Sequence, residues 1–461
     1  MSARRLRLAL LPALLLLLSG ADSAAAVVQG SNDPSFWSDG LRIYTDPNLS
    51  LNLAGLVVAP DGRLVYLANG RDFDTVRILT WRAVGDSTQG SACAVSLPGG
   101  TGHDGFDLAF DGAGRLVVLA RSLPSDQLFV ARYLYPSCAL DPTFGSHAGW
   151  AGIGPESGNE LLLGDLVVDA AGRIVIAARL DHVAILFRLL PDGDPDPGFS
   201  GDGRASAPDH GFLRDVTGLA VSSDGRPVVL MSAAAAGDSS TFVFEVFDGA
   251  GGHVETLEVP FEVAGTQELA RPAALTFGAD GRLVAAGSLR VGHNLGDVWG
   301  VVAALRITAS GGLALDPTFG GDGRVEYRLT GSSGTHSDLA DVTVDDDGRV
   351  VLAGTWDMNQ VGANNVAMLV MRLLPDGLRD PSFYPTALTS GIRLLQFDEG
   401  GVTTDYGSRI VLQGGRIVVG GELVVADGAD LGLARLLARA VFSDGFESGN
   451  PATWSVVLNG P

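Results

Sequence analysis

A turn that ends in Gly-Arg and leads into an apolar run recurs along most of the sequence. It occurs seven times, with successive glycines 52 to 67 residues apart, at Gly62-Arg63, Gly114-Arg115, Gly172-Arg173, Gly225-Arg226, Gly281-Arg282, Gly348-Arg349 and Gly415-Arg416. Periods of roughly this length are typical of solenoids, propellers and other arrays in which neighbouring units share one core. A stack of similar units is therefore expected, in place of the three separate domains that 461 residues alone would suggest.

Each anchor lies between two strand-like segments. Residues six and four positions before the glycine are apolar in six units, as Leu108 and Phe110 are, and runs such as Leu116–Leu119 follow it. The Asp-Gly pair found in most of these turns supplies the positive φ that a tight hairpin needs. A third segment such as Ala184–Phe187 comes next, and a short fourth one such as Arg324–Tyr327 ends the unit. The pattern predicts four antiparallel strands per unit.

A second turn motif, Asp-Pro-x-Phe, separates the third and fourth strands. It occurs at Asp33–Phe36, Asp141–Phe144, Asp196–Phe199, Asp316–Phe319 and Asp380–Phe383. Proline fixes φ and aspartate bonds the backbone ahead of it, so the motif predicts a turn. We expect its phenylalanine to fill the gap between neighbouring units. Five arginines at one repeat position are expected to pair with turn aspartates, because repeated residues serve architecture: Arg132, Arg188, Arg306, Arg372 and Arg435.

Short strands that are apolar on both faces need a similar sheet on each side. Radial stacking supplies those sheets without leaving long open edges. Residues 33–440 number 408, which is about 58 for each of seven units. The prediction is an all-β fold, a seven-bladed β-propeller over residues 33–440. An open β-solenoid is the alternative, with shorter rungs and fewer hairpins.

The segments Asp316–Val325, Asp347–Gly354 and Met371–Gly377 together resemble the delta-60 repeat family of bacterial propeller-like proteins. The resemblance covers nearly the whole mature chain. The units around Gly62 and Gly225 depart from it, because they lack a clear Asp-Pro-x-Phe at their ends. The resemblance implies an exported propeller and carries over no catalytic residues.

The first 26 residues are typical of an export signal. Three arginines precede the apolar stretch Leu8–Leu18, and Ala24–Ala26 fits a cleavage site. The stretch is shorter than the about 20 residues of a membrane span, although a membrane anchor is the alternative. Residues 441–461 form a tail outside the repeats, which resembles a short segment of exported gammaproteobacterial proteins and either sorts the protein or caps the ring. We predict secretion, to the outside, surface or periplasm of a Gram-negative bacterium.

Charge and composition argue against several classes of binding partner and cofactor. The net charge of −22 argues against nucleic acid and against insertion into an anionic membrane. All 31 basic residues are arginine, so lysine chemistry is excluded. The two cysteines, Cys93 and Cys138, are too few for a zinc site, and whether they pair stays open, as does the oligomeric state. The alternating acids from Asp192 to Asp196 resemble a calcium-binding loop but lack the later EF-hand ligands. An EF-hand is therefore excluded, and calcium bound by another kind of turn is the one cofactor left open.

One candidate site is a ring at the mouth of the propeller channel. Seven residues before the anchor glycines stand Gly55, Asp107, Asp165, Gly218, Ala274, Asp341 and Ser408. If the strand that follows is innermost, these residues surround the channel. The candidate ring is His103, Asp107, Asp165, His336 and Asp341, which could hold a cation or act as acid and base. Ordinary solvated residues at strand starts are the alternative.

A second candidate site lies in two loops that are longer than their counterparts, Ser288–Gly300 and Thr355–Asn365. They carry His293, Asn294, Trp299, Trp356 and Asn359. Aromatic and amide side chains suit contact with carbohydrate or protein. Spare loop length is the alternative interpretation.

Two functions follow. The first is a non-enzymatic exported propeller that binds an extracellular glycan or protein through these loops. The second is an extracellular hydrolase or lyase that uses the acidic, histidine-bearing channel. The sequence contains neither Gly-x-Ser-x-Gly nor His-Glu-x-x-His, the signatures of serine and zinc hydrolases, which favours binding.

Overall fold

Strands account for the regular structure throughout the described part of the chain, where no helix occurs. The computed structural model describes residues 29–37, 39–45, 51–70, 76–81, 92–94, 103–122, 127–146, 149–153, 161–211, 213–233, 241–261, 268–291, 297–328, 337–357, 365–385, 390–397, 403–425 and 428–438. All of them belong to one unit, Val28–Arg439. The predicted signal and tail lie outside the described residues. The predicted all-β class is confirmed.

The strands follow one another in groups of four or five. In chain order they are β1 (Leu41–Tyr44); β2 (Leu51–Val58), β3 (Leu64–Gly70), β4 (Val76–Trp81), β5 (Ala92–Ala94); β6 (His103–Phe110), β7 (Leu116–Ser122), β8 (Gln127–Leu134), β9 (Ala139–Leu140), β10 (Trp150–Ile153); β11 (Leu161–Val168), β12 (Ile174–Leu180), β13 (Val183–Leu189), β14 (Arg204–Ser206); β15 (Leu213–Val221), β16 (Pro227–Ala233), β17 (Thr241–Phe247), β18 (His253–Pro260); β19 (Glu268–Phe277), β20 (Arg282–Val291), β21 (Asp297–Ile307), β22 (Leu313–Leu315), β23 (Arg324–Arg328); β24 (Asp338–Val344), β25 (Val350–Asp357), β26 (Asn365–Leu373), β27 (Ile392–Leu395); β28 (Thr403–Gln413), β29 (Arg416–Val425) and β30 (Gly428–Leu437).

The strands pair antiparallel within each group. Two neighbouring groups are also joined to each other, because two residues of β26 pair in parallel with two residues of β28. This contact makes an eight-stranded sheet. Strand β1 pairs with β30, so the beginning of the described chain completes the last group. The first strand of each group contacts the first strand of the next, from β2 through β6, β11, β15, β19, β24 and β28, and β28 contacts β2. These first strands are therefore the innermost ones.

The anchor turns have the backbone conformation that the sequence predicts. All seven anchor glycines have φ between 75° and 84°. Only glycine adopts this region freely, because it has no Cβ. In the first turn the amide of Gly62 donates to the carbonyl of Ala59 at 2.8 Å, which closes the hairpin.

The Asp-Pro-x-Phe turns hold the outer parts of the groups together. The five predicted Arg–Asp pairs are present, with N–O distances of 2.7 to 2.9 Å. Each turn phenylalanine is at most 1% exposed. Four of the five guanidinium groups lie 4.4 to 4.8 Å from the centre of their phenylalanine ring. Arg188 also donates to the carbonyl of Gly249 in the next group at 2.6 Å, so the arginine links neighbouring groups.

One group distributes this role over two arginines. Arg306 pairs with Asp316 but is 45% exposed. The anchor arginine Arg282 is buried instead, pairs with the same Asp316 at 3.0 Å and donates to the carbonyl of Pro375 at 2.6 Å. The link between groups is thus retained by a residue from a different repeat position.

Candidate functional site

A β-bulge interrupts every innermost strand at the same place. The residues that follow the bulge are Gly55, Asp107, Asp165, Gly218, Ala274, Asp341 and Arg409. Six of them agree with the predicted set, and the seventh is Arg409 where Ser408 was predicted. The turn after β28 is one residue shorter than the others, so counting back from Gly415 ends one residue too early. An arginine thus stands among three aspartates.

The three aspartates bridge neighbouring innermost strands. Asp165 accepts the amide of Leu219 at 2.8 Å, and Asp341 accepts that of Ile410 at 2.8 Å. Asp107 accepts the amide of Leu166 at 3.2 Å. An innermost strand lies at the edge of its group, so its amides that face the next group pair with no strand of their own group. Each carboxylate satisfies one of them and ties two groups together.

These carboxyl groups come close enough to alter one another. Burial, followed by the charge and hydrogen bond of Asp165, raises the pKa of Asp107 well above its usual value. Burial also raises the pKa of Asp341 to about 6, against the opposing charge of Arg409. Arg409 itself donates to the carbonyl of Ala54 at 2.7 Å, which links the last group to the first. Three aspartates and one arginine, each from a different innermost strand, therefore lie close together.

The histidines of the predicted ring are placed differently. His103 is 6% exposed and packs edge-on against Phe129 of the same group, with ring centres 5.8 Å apart. His336 lies outside the described residues. Within the described ranges, no group of three or more His, Cys, Asp or Glu is arranged to hold a metal ion.

Three positions before the residues that follow the bulge, most innermost strands carry a second polar residue. These residues are Asn52, Asp104, Asp215, Arg271, Asp338 and Tyr406, and the third group has Leu162 there. This set was missed because the sequence shows no bulge. Counting three further residues back from the positions that lie seven before the anchor glycines would have found most of this second set.

A pocket of about 650 Å³ lies between the last, first and second groups and is lined by two members of this set, Asn52 and Asp104. Its polar and aromatic lining includes Asn52, Asn69, Asp104, Phe106, Arg409 and Glu422. Asn69 exchanges two hydrogen bonds with the backbone of Gly105, at 2.8 and 2.9 Å, and so holds one wall in place. Asn52 donates to Glu422 across the pocket. Amide, carboxylate, guanidinium and aromatic groups therefore face one cavity.

The position of Phe106 in the pocket wall is fixed by a neighbouring arginine. Arg121 donates to Asp104 at 3.1 Å and lies over the ring of Phe106, 5.7 Å from its centre. A cation held over an aromatic face stabilises both side chains. Phe106 therefore presents a positioned ring to the cavity.

The residues of the second predicted site are in strands where they are described. Trp299 belongs to β21 and pairs with Leu289, and Trp356 belongs to β25 and pairs with Ala367. Both are half-buried and pack against the hydrophobic core between groups. Strands β20 and β21, and likewise β25 and β26, extend into the segments that were predicted to be loops, so the two loops are shorter than predicted. His293, Asn294 and Asn359 lie outside the described residues.

The state of the cysteines is settled for Cys138. It is disulfide-bonded, and no described cysteine is free. The sequence has one other cysteine, Cys93, in β5, whose side chain lies outside the described residues.

Comparison with known proteins supports a β-propeller repeat. Residues 346–383 match the family model described as "Domain of unknown function (DUF5122) beta-propeller". This stretch contains the anchor Gly348-Arg349 and the turn Asp380–Phe383. Among curated proteins, none matches the sequence.

Solved structures with a similar arrangement are distant. A catalytically inactive virginiamycin B lyase from Staphylococcus aureus with quinupristin is 12% identical, with a TM-score of 0.46, over 86% of this chain and 98% of that one. The periplasmic gluconolactonase of Pseudomonas aeruginosa is 16% identical, with a TM-score of 0.44, over 79% and 89%. The PQQ-bound aldose sugar dehydrogenase of Streptomyces coelicolor is 16% identical, with a TM-score of 0.38, over 75% and 99%. At this distance the likeness carries no information about activity.

Proposed function

We propose that the chain is an exported seven-bladed β-propeller, built from delta-60 repeats, that binds an extracellular carbohydrate at the channel mouth without catalysing a reaction on it. The cyclic order of contacts among the innermost strands supports the blade number. The pocket of about 650 Å³ is the observation that carries the binding role. Its size is within the range of small-molecule sites.

The chemistry of the pocket favours a sugar. The Asn52 amide and Glu422 carboxylate suit hydroxyl groups, which both donate and accept hydrogen bonds. The ring of Phe106 supplies an apolar surface beside these polar groups. A strongly acidic chain is a poor partner for nucleic acid. An extracellular protein is the other ligand class to consider, and a binding test with glycans distinguishes it from a carbohydrate.

An extracellular hydrolase or lyase is the second candidate. The raised pKa values of Asp107 and Asp341 favour it, because perturbed carboxyl groups in a cleft are typical of acid–base sites. The same carboxylates accept backbone amides from neighbouring strands, however. That structural role accounts for their position, so we favour binding.

The test is a glycan array probed with the mature protein and with the variants Asn52→Ala and Phe106→Ala. We expect binding to at least one glycan, with about tenfold weaker affinity for each variant, which corresponds to one lost contact of about 1.4 kcal/mol. Asp215→Ala is the matched control. It occupies the same strand position as Asn52 but is not part of the pocket lining, and its affinity should equal that of the wild type.

Equal affinity in Asn52→Ala, Phe106→Ala and wild type would exclude the channel-mouth pocket. Absence of binding to every glycan would exclude the carbohydrate class. Cleavage of a bound glycan by the wild type, lost in Asp107→Asn, would favour the enzymatic alternative.

A further inference from the structure

The residue that follows each Asp-Pro-x-Phe turn has a left-handed backbone. Its φ is 54° at Trp37, 65° at Gly145, 51° at Ser200, 65° at Gly320 and 45° at Tyr384. Glycine adopts this conformation without strain, and bulky side chains rarely do. Gly145 and Gly320 show that the turn itself needs no aromatic residue. Trp37 and Tyr384 therefore carry strain that the fold does not require.

The two strained aromatic residues lie on adjacent groups and are arranged alike. The guanidinium of Arg42, from β1, lies 4.2 Å from the centre of the Trp37 ring. That of Arg393, from β27, lies 4.4 Å from the Tyr384 ring and donates to its hydroxyl at 2.6 Å. All four side chains are half-buried, whereas the turn phenylalanines and the arginines over them are buried. Tyr384 packs against a hydrophobic core cluster, so burial accounts for part of its position, but Trp37 belongs to no core cluster of the described residues.

Hydrogen bonds run from the Tyr384–Arg393 pair to the loop that carries Trp37. Arg393 donates to the side-chain oxygen of Asn32 at 3.1 Å, and the Asn32 amide donates to the carbonyl of Asp39 at 2.9 Å. We call Asn32, Trp37, Arg42, Tyr384 and Arg393 the aromatic strip. A pocket of about 440 Å³ lies at the Trp37–Arg42 end of the strip. Asp39 and Gln396 complete its polar lining, and Leu41, Ile43 and Phe397 form its apolar part.

We propose that the aromatic strip is a second binding site, which holds a neutral polysaccharide chain. An aromatic ring face packs against the apolar side of a sugar ring, while fixed amide, carboxylate and guanidinium groups bond its hydroxyls. Two such rings on neighbouring groups suit a ligand that extends beyond one sugar. The net charge of −22 and the nearby Asp39 disfavour an acidic glycan. This site does not depend on the channel-mouth pocket.

The backbone strain provides a test that separates binding from stability. Trp37→Gly and Tyr384→Gly install the residue found at Gly145 and Gly320. Mobility is measured in native gels that contain laminarin, xylan, mannan or dextran. We expect at least one polymer to retard the wild type, the Trp37→Gly variant to bind about tenfold more weakly, and the double variant not to bind. The melting temperature of Trp37→Gly should stay within about 2 °C of wild type, because glycine relieves the strain. Tyr384→Gly also removes the bond from Arg393 and a contact with the core, so its melting temperature should fall by a few degrees.

Ser200→Gly is the matched control, since it changes the same turn position in a group without an aromatic residue. It should bind as the wild type does. Wild-type mobility unaffected by all four polymers would overturn the proposal. So would unchanged retardation of the double variant, or a fall of more than about 5 °C in its melting temperature with binding intact, which would assign the aromatic residues to stability.

Discussion

Replacement of Arg372 by alanine is expected to lower the free energy of unfolding by about 3–5 kcal/mol, the typical result of breaking a buried ion pair. Arg372 is fully buried, and its Nε lies 2.8 Å from the carboxylate of Asp380. It also donates to the carbonyl of Ala438 in the neighbouring group and covers the ring of Phe383. The variant leaves the buried Asp380 with only the more distant and partly exposed Arg349, at 3.5 Å, and it removes a link between groups.

Urea denaturation followed by tryptophan fluorescence measures this loss. Arg306→Ala is the control, because Arg306 comes from the same predicted repeat position but is 45% exposed. Its partner Asp316 keeps the buried Arg282, so we expect a loss of at most about 1 kcal/mol. Equal losses in the two variants would contradict the idea that buried arginines link the groups.

The second large effect is a dependence of stability on pH. Burial raises the pKa of Asp341 to about 6 in the folded protein, above the 3.8 of the unfolded chain. The folded state therefore binds this proton more tightly, so the contribution of Asp341 is present below pH 4 and lost as pH rises to about 6. The difference corresponds to at most about 3 kcal/mol. Asp107, whose pKa is also raised, acts in the same direction.

Asp341→Asn should remove this contribution, because an amide does not titrate. The free energy of unfolding, measured in urea from pH 4 to pH 7, should rise in the variant relative to wild type by up to about 3 kcal/mol across that range. Asp316→Asn is the control: hydrogen bonds from Thr318 and the charge of Arg282 outweigh burial and lower the pKa of Asp316 to about 2. Its profile should run parallel to wild type above pH 5. A parallel profile for Asp341→Asn as well would show that Asp341 does not titrate with a raised pKa.

Much of the fold was predictable because the turns are local. The anchor glycines and the Asp-Pro-x-Phe motifs specify backbone angles within a few residues, and the strands between them follow from alternation. The Arg–Asp pairs were predictable for the same reason, since repetition marks them as architectural. Local signals were misleading where a turn changed length. The shorter turn before Gly415 moved the seventh channel residue from Ser408 to Arg409.

The candidate sites were less predictable because they depend on how far strands extend and which strands meet. Trp299 was expected in a loop, but β21 begins before it and buries part of its ring. His103 was grouped with the channel aspartates, but it packs on Phe129. Alternation along one strand does not show which neighbouring sheet a side chain faces.

By itself the sequence determined the repeat, the all-β class, the turn chemistry and the acidic character of the chain, because these depend on neighbouring residues and on composition. Only the tertiary structure decided that β1 completes the last group, that aspartates cap the inner edge amides of the next strand, and that Asn52, Phe106 and Glu422 line one pocket. Those contacts join residues from different repeats, and no spacing along the chain encodes how the groups are arranged around an axis.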